Sequence, residues 1–154
     1  MKNLMLLSND GSKKINKFSS SSLEETDAIG KVIAKMLSLN DTVCLTGDLG
    51  AGKTTLIKSI ASEVGGTSPH MINSPTFTYL NIYEGTPSIY HFDCYRLKNE
   101  KEFLMKGLDE YFGELCFIEW PERIEKILPK NRVCIHIESL GKTKRKIFYE
   151  KNSL

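Results

Sequence analysis

Long hydrophobic runs are missing from this chain of 154 residues. Nowhere do about 18 apolar residues follow one another, so no membrane-spanning helix is predicted. Near the N-terminus Leu4–Leu7 follows Lys2. That run is shorter than the roughly 7–15 apolar residues of a secretory leader, and Ser8, Asn9 and Asp10 break it at once. The expected compartment is the cytoplasm. Cysteine is scarce, with Cys44, Cys94, Cys116 and Cys134 only. None forms a Cys-x-x-Cys pair and each falls in a strand-like segment, so reduced, buried thiols are expected rather than a metal or redox centre. An excess of one charge is also absent: 21 Lys and Arg face 19 Asp and Glu, for a net charge of +2. Bulk electrostatics therefore argues neither for nor against a nucleic-acid partner. Repeats and low-complexity tracts are lacking, apart from the serines Ser19–Ser22. What remains is an ordinary globular composition, 40% hydrophobic and 26% charged, with the length of a single domain over 1–154.

The local patterns alternate between helix and strand. Ser22 and Glu25 have capping-box spacing, and Ile29, Val32, Ile33, Met36 and Leu37 recur at helical intervals, which predicts a helix over about 23–38. "TVCLTG" (42–47) is short, apolar and β-branched, as a buried strand is. "KTTLIKSIASEV" (53–64) predicts a helix that Gly65 and Gly66 stop. Two aromatic, β-rich segments, 77–83 and 88–95, flank the turn residues "EGTP" and predict an antiparallel hairpin. A helix broken near Gly107 is expected over 99–112, a buried strand over 114–119 and a helix opening at Pro121 over 121–128. "RVCIHIE" alternates, with Val133, Ile135 and Ile137 on one face, and pairs with "KIFYE" as a second hairpin. Residues 1–12 carry little pattern and are expected as a loose arm or a short strand. The predicted class is α/β, a mixed sheet with antiparallel hairpins flanked by helices.

Between the strand at 42–47 and the helix at 53–64 lies "GDLGAGKTT". Gly47, Gly50 and Gly52 allow positive φ and close approach, so successive backbone N–H groups can face one phosphate. The helix that follows aims its positive dipole end at the same anion. Asp48, Leu49, Gly50, Ala51, Gly52, Lys53, Thr54 and Thr55 make up the expected nucleotide cradle. Lys53 supplies a cation for the β- and γ-phosphates, and the Thr54 hydroxyl can ligate Mg²⁺. A P-loop NTPase that binds ATP with Mg²⁺ is the reading.

Such chemistry needs an acid near the metal, because Mg²⁺ prefers oxygen ligands. Glu119 closes an apolar strand and Asp93 ends a hairpin strand, so both are candidate metal ligands and catalytic acids. One can hold Mg²⁺ through water while the other orients the attacking water. Thr76, in the Pro75-stiffened "NSPTFTY", is a candidate switch-loop hydroxyl, though strands commonly open on threonine. Trp120 is either core or a wall of the nucleotide pocket. Arg96 and Arg123 can pair with phosphate, with a partner or in surface salt bridges. His70 and His136 have no evident partner and are expected on the surface. Lys142, Lys144, Arg145 and Lys146 can meet RNA or an acidic partner, with a solvated hairpin turn the plainer reading.

Taken together, "GDLGAGKTT", "SPTF", "HFDCYR", "GLDEYF" and "FIEWPER" resemble, in order and spacing, the TsaE (YjeE) family over about 22–149. The P-loop is shared by many families; the other motifs in combination are specific. The resemblance implies a bacterial ATPase required for threonylcarbamoyladenosine formation at position 37 of tRNA. It implies that Asp93 and Glu119 are the acids needed for ATP hydrolysis, beside the catalytic candidate Lys53 of the loop, with a switch-like role for Thr76, a Mg²⁺ ligand at Thr54 and a nucleotide contact at Trp120. It also implies a partner, the heterodimer of TsaB and the transferase TsaD, which the ATPase cycle resets, with tRNA reached indirectly. Cys94 departs from the aliphatic residue more usual there, and the arm before Lys13 is longer than the family core.

Two other classes fit less well. A small-molecule kinase places its loop close to the N-terminus and carries an arginine-bearing lid, whereas a whole helix precedes this loop and no arginine-rich lid segment occurs. A GTPase-like switch needs an Asn-Lys-x-Asp guanine reader, and "NRVC" (131–134) is no substitute. The mechanism expected is that ATP binding orders the "SPTF" loop to shape a partner surface and hydrolysis releases the partner. Turnover by the isolated protein should be slow, because an open pocket excludes water poorly.

Overall fold

Alternation along the strands sorts the apolar side chains onto two faces of one sheet. A computed structural model of the protein describes residues 4–6 and 15–152. Its strands and α-helices begin with β1 (Leu4–Leu6), β2 (Ile15–Ser20), α1 (Leu23–Met36), β3 (Thr42–Thr46) and α2 (Lys53–Gly65). They continue with β4 (Leu80–Tyr83), β5 (Ile89–Asp93), α3 (Glu100–Met105), β6 (Cys116–Glu119), β7 (Arg132–Ser139) and β8 (Arg145–Asn152). The strands make one eight-stranded sheet in the order β1-β2-β8-β7-β3-β6-β5-β4. The centre, β7-β3-β6-β5, is parallel; β1, β2, β8 and β4 join antiparallel. This is the α/β mixed sheet the sequence predicts.

In β3, Val43 and Leu45 join the core formed with α1 and α2, while Cys44 faces the opposite core. β6 repeats the division: Phe117 packs with the first cluster, Cys116 and Ile118 with Phe92, Phe103 and Ile124 in the second. Strands covered on both faces carry no polar alternation, which is why these two segments read as continuous apolar runs. The Ser22 hydroxyl caps α1 by accepting from Glu25 N–H at 3.1 Å, and the Glu25 carboxylate accepts from Ser21 N–H at 2.6 Å. The return bond thus reaches one residue upstream of the usual capping box. Gly66, in the left-handed region, closes α2.

Several boundaries differ from the sequence expectation. The first hairpin is shorter, because residues 76–79 form a turn closed by Tyr79 N–H to Pro75 O at 2.8 Å, with Tyr79 at φ 65°. Aromatic and β-branched composition suggested strand; the Pro75 turn overrides it. Residues 121–127 are helical from Pro121, as expected, but as tight 3-10 turns kinked at Ile124 rather than one α-helix, entered from Trp120 at φ 58°. Among the thiols, Cys44, Cys94 and Cys116 are buried and free, whereas Cys134 is half-buried. Burial holds all four above the ordinary thiol range, Cys116 at about 12. Of residues 1–12, 4–6 form an edge strand, and the rest lie outside the described residues.

The two helices behind the loop touch at Gly30. A Cβ there would lie 2.4 Å from Ser59 Cβ. Overpacking of this kind costs about 1–3 kcal/mol. Gly30→Val should therefore lower the urea midpoint by an equivalent amount; an unchanged midpoint would mean that α1 and α2 are not held this close.

Candidate functional site

The glycine-rich loop leaves β3 and returns into α2. Gly47, Gly50 and Gly52 have φ of 146°, 78° and 109°. At Gly47 a Cβ would sit 2.5 Å from Ile137 O, so only glycine lets the loop lie against β7. Lys53 is the first residue of α2 and is buried. Its Nζ donates to Gly47 O at 2.6 Å and to Asp48 O at 3.0 Å, and lies 4.4 Å from the Trp120 ring centroid. Burial pulls the Lys53 pKa below the usual lysine range, opposed by Glu119, Glu122, Asp93 and Asp48. The outer side of the loop is braced from the C-terminal hairpin. Arg145 Nε donates to Ala51 O at 2.7 Å, and its Nη1 to Gly141 O and Lys144 O at 2.8 and 2.9 Å.

Sheet register brings the acids together. Asp93 of β5 and Glu119 of β6 are direct partners at the carboxyl ends of adjacent parallel strands, and Leu45 of β3 flanks Glu119 on the other side. Both carboxylates are buried. Glu119 Oε1 accepts from Thr54 Oγ1 at 3.0 Å; its Oε2 lies 2.8 Å from His91 Nε2 and 3.4 Å from Ser74 Oγ. Asp93 Oδ2 accepts from Ser74 Oγ at 2.9 Å and Thr76 Oγ1 at 3.1 Å, and Oδ1 from Tyr95 N–H at 2.9 Å. Each buried carboxylate therefore has the hydrogen bonds that burial requires. Among the described residues no group of three or more His, Cys, Asp and Glu side chains forms a metal cluster. The Thr54 hydroxyl and the two carboxylates are instead the sparse, hard oxygen set that suits Mg²⁺ held jointly with phosphate and water.

Two clefts meet at this loop. One, of about 420 Å³, is lined by the loop, Ser74, Thr76, Asp93, Tyr95, Glu119 and Trp120. The other, of about 240 Å³, lies between Ser22, Leu23 and Thr26 of the α1 start and Lys142, Thr143 and Arg145 of the last hairpin. Gly50, Gly52 and Thr55 line both.

Comparison with known proteins follows this geometry. The model of the family described as threonylcarbamoyl adenosine biosynthesis protein TsaE matches residues 20–147. The chain belongs to the TsaE family. The tRNA threonylcarbamoyladenosine biosynthesis protein TsaE of Bacillus subtilis is 45% identical over 129 residues, 82% of this chain and 79% of that one. The TsaE protein of Treponema pallidum is 38% identical over 130 residues, 83% of this chain and 95% of its own length. A crystal structure of Bacillus subtilis YdiB superposes with a TM-score of 0.74 at 36% identity, covering 94% of this chain and 90% of that one.

In this TsaE-family chain the expected site residues fall unevenly. Lys53, Thr54, Thr76, Asp93, Glu119 and Trp120 converge on the larger cleft. Gly50, Gly52 and Thr55 bridge the clefts; Leu49 is 78% exposed at the mouth, Asp48 is exposed and Ala51 is buried beneath the loop. Arg96 stacks its guanidinium 4.2 Å from the Phe77 ring centroid, and Arg123 is exposed. His70 is exposed, as expected; His136 is exposed too, but it has a partner, Thr46 Oγ1 at 2.8 Å from its Nδ1. Lys142 and Arg145 are cleft and brace residues, not a merely solvated turn. Two residues against the acids had been assigned nothing, Ser74 and His91. His91 stands two positions before Asp93 on the same strand, and that spacing alone puts both on one face.

The Arg145 brace is testable. A hydrogen bond from a charged donor is worth about 1.5–3 kcal/mol, so Arg145→Met should speed amide exchange across Gly50–Lys53 by roughly tenfold or more. Exchange at the wild-type rate would show that the loop is held from elsewhere. No helix among the described residues is long and apolar enough to cross a membrane.

Proposed function

We propose that the chain is a Mg²⁺-dependent ATPase of threonylcarbamoyladenosine biosynthesis, whose nucleotide cycle governs its grip on a TsaB–TsaD heterodimer. The observation that carries this reading is the 3.0 Å bond from Thr54 Oγ1 to Glu119 Oε1. It joins the hydroxyl that opens α2 to the acid that ends β6, beside backbone N–H groups suited to phosphate. When bound, Mg²⁺ neutralises charge on the transferring phosphoryl group. Thr54 and one of the two acids hold it, and the other acid orients the attacking water. Lys53 supplies a second cation to the β- and γ-phosphates. Gly50, Gly52 and Thr55, which line both clefts, would hold the phosphates, and Trp120 would wall the nucleotide in the larger cleft. Water is the acceptor.

The same loop that touches the acids supports a coupling to partners. Ser74 and Thr76 contact Asp93, and the next residue, Phe77, is 78% exposed. Ordering of this segment by nucleotide shapes a surface for TsaB–TsaD; hydrolysis releases it.

ATP hydrolysis measured with and without the TsaB–TsaD heterodimer tests this reading. The isolated protein should turn over slowly and the heterodimer should stimulate it, while Lys53→Ala should be inactive under both conditions. Glu119→Ala and Asp93→Ala should each lower stimulated hydrolysis by about 10²-fold or more. Full stimulated activity in both acid variants would remove the assignment.

A further inference from the structure

Behind the acids lies a buried polar chain that phosphate and metal binding leave unused. His91 is fully buried in β5, with both ring nitrogens engaged: Nε2 is 2.8 Å from Glu119 Oε2 and Nδ1 is 3.0 Å from the Tyr83 hydroxyl. That hydroxyl also lies 2.9 Å from Asn73 O and 3.3 Å from Asn73 N. The hairpin makes the arrangement: Asn81 is the register partner of His91, so Tyr83 sits diagonally across from it. Asn73 directly precedes Ser74 in the segment that reaches Asp93 and Glu119. The segment thus touches Glu119 in front, through Ser74 at 3.4 Å, and behind, through Tyr83 and His91.

Hydrogen-bond bookkeeping gives the chain a direction. The Glu119 carboxylate only accepts, so the His91 nitrogen that bonds it, Nε2, carries a proton. In the neutral imidazole Nδ1 is then an acceptor, which the one proton of the Tyr83 hydroxyl can serve. The same proton is in reach of Asn73 O, which keeps a second donor, Asn81 Nδ2 at 3.0 Å. How the phenol divides its proton therefore depends on where Asn73 stands. A buried imidazole with both nitrogens bonded is rigid, because leaving either unpaired costs more than the bond contributes.

We propose that His91 is a positioning residue for Glu119, and that the Tyr83–His91 pair ties this carboxylate to the Asn73–Thr76 segment, so that the acid's orientation and the segment's position change together. This rests on the ATPase reading above. Neither side chain lines the larger cleft, so their effect on the nucleotide passes through Glu119.

The test compares Tyr83→Phe, which removes one hydroxyl and keeps the ring, with His91→Gln and His91→Leu. Two readouts are taken on the full chain: steady-state ATP hydrolysis, and the fluorescence of Trp120, the single tryptophan, during titration with a non-hydrolysable ATP analogue with and without Mg²⁺. Tyr83→Phe should keep Mg²⁺-free analogue affinity within about twofold, lower kcat about tenfold with little change in KM, and diminish the Mg²⁺-dependent part of the Trp120 signal. His91→Gln, which keeps an N–H donor, should retain more of both readouts than His91→Leu. The proposal is overturned if Tyr83→Phe keeps the wild-type kcat and Mg²⁺-dependent signal, or if Gln rescues nothing that Leu loses. Absence of hydrolysis in the wild type would count against the ATPase reading alone, since the fluorescence comparison needs no turnover.

Discussion

A buried carboxylate at the end of a parallel strand is the constraint around which this molecule is arranged. Glu119 is almost wholly out of water, and an unpaired charge there would cost several kcal/mol. Its oxygens are met from three directions: Thr54 from the start of α2, His91 from β5 and, at a longer 3.4 Å, Ser74 from the segment before β4, the one hydroxyl proton of Ser74 being shared with Asp93. Each donor comes from a different element, so the site is correct only when β3, β5 and β6 are in register and α2 is docked. The TsaE-family fold and its candidate chemistry meet at this one side chain.

The rest of the site follows from what surrounds that acid. Asp93 stands beside Glu119 because the two are register partners, and like charges at such a spacing need donors of their own. Ser74, Thr76 and the Tyr95 N–H supply them to Asp93. The consequence is that the segment carrying the exposed Phe77 is fastened to the acids by hydroxyl groups, while Ile72 and Tyr79 anchor it to the two cores. On the far side Arg145 reaches across from the last hairpin to the loop backbone, so both clefts share one rigid floor. A set of hydrogen bonds of moderate strength, rather than a buried hydrophobic hinge, is what nucleotide and Mg²⁺ would exchange against.

What the sequence made legible was the local and the periodic. The loop is contiguous, so its three glycines, Lys53 and Thr54 could be placed by spacing alone. Glu119 could be placed because an apolar strand led into it, and the inward face of β7 because Val133, Ile135 and Ile137 alternate. What stayed hidden depended on distant pairing. Arg145 lies 94 residues from Ala51, and no local pattern distinguishes a brace from a solvated turn. The turn at 76–79 was concealed by strand-like composition, because Pro75 and a left-handed Tyr79 decide the backbone there. Residues 121–127 carried a helical pattern that a left-handed Trp120 and the kink at Ile124 cut into short turns. His91 was within reach of period-two reasoning, yet its role appears only once Tyr83 and Glu119 are seen on either side.

The central claim is that Thr54 and Glu119 together form the metal side of a nucleotide site. Calorimetric titration of ATP, with and without Mg²⁺, against the wild type and Thr54→Ala tests it most directly. The account predicts that Mg²⁺ tightens ATP binding in the wild type and that this increment is lost in Thr54→Ala, while Mg²⁺-free binding persists. An equal Mg²⁺ increment in both proteins would contradict it.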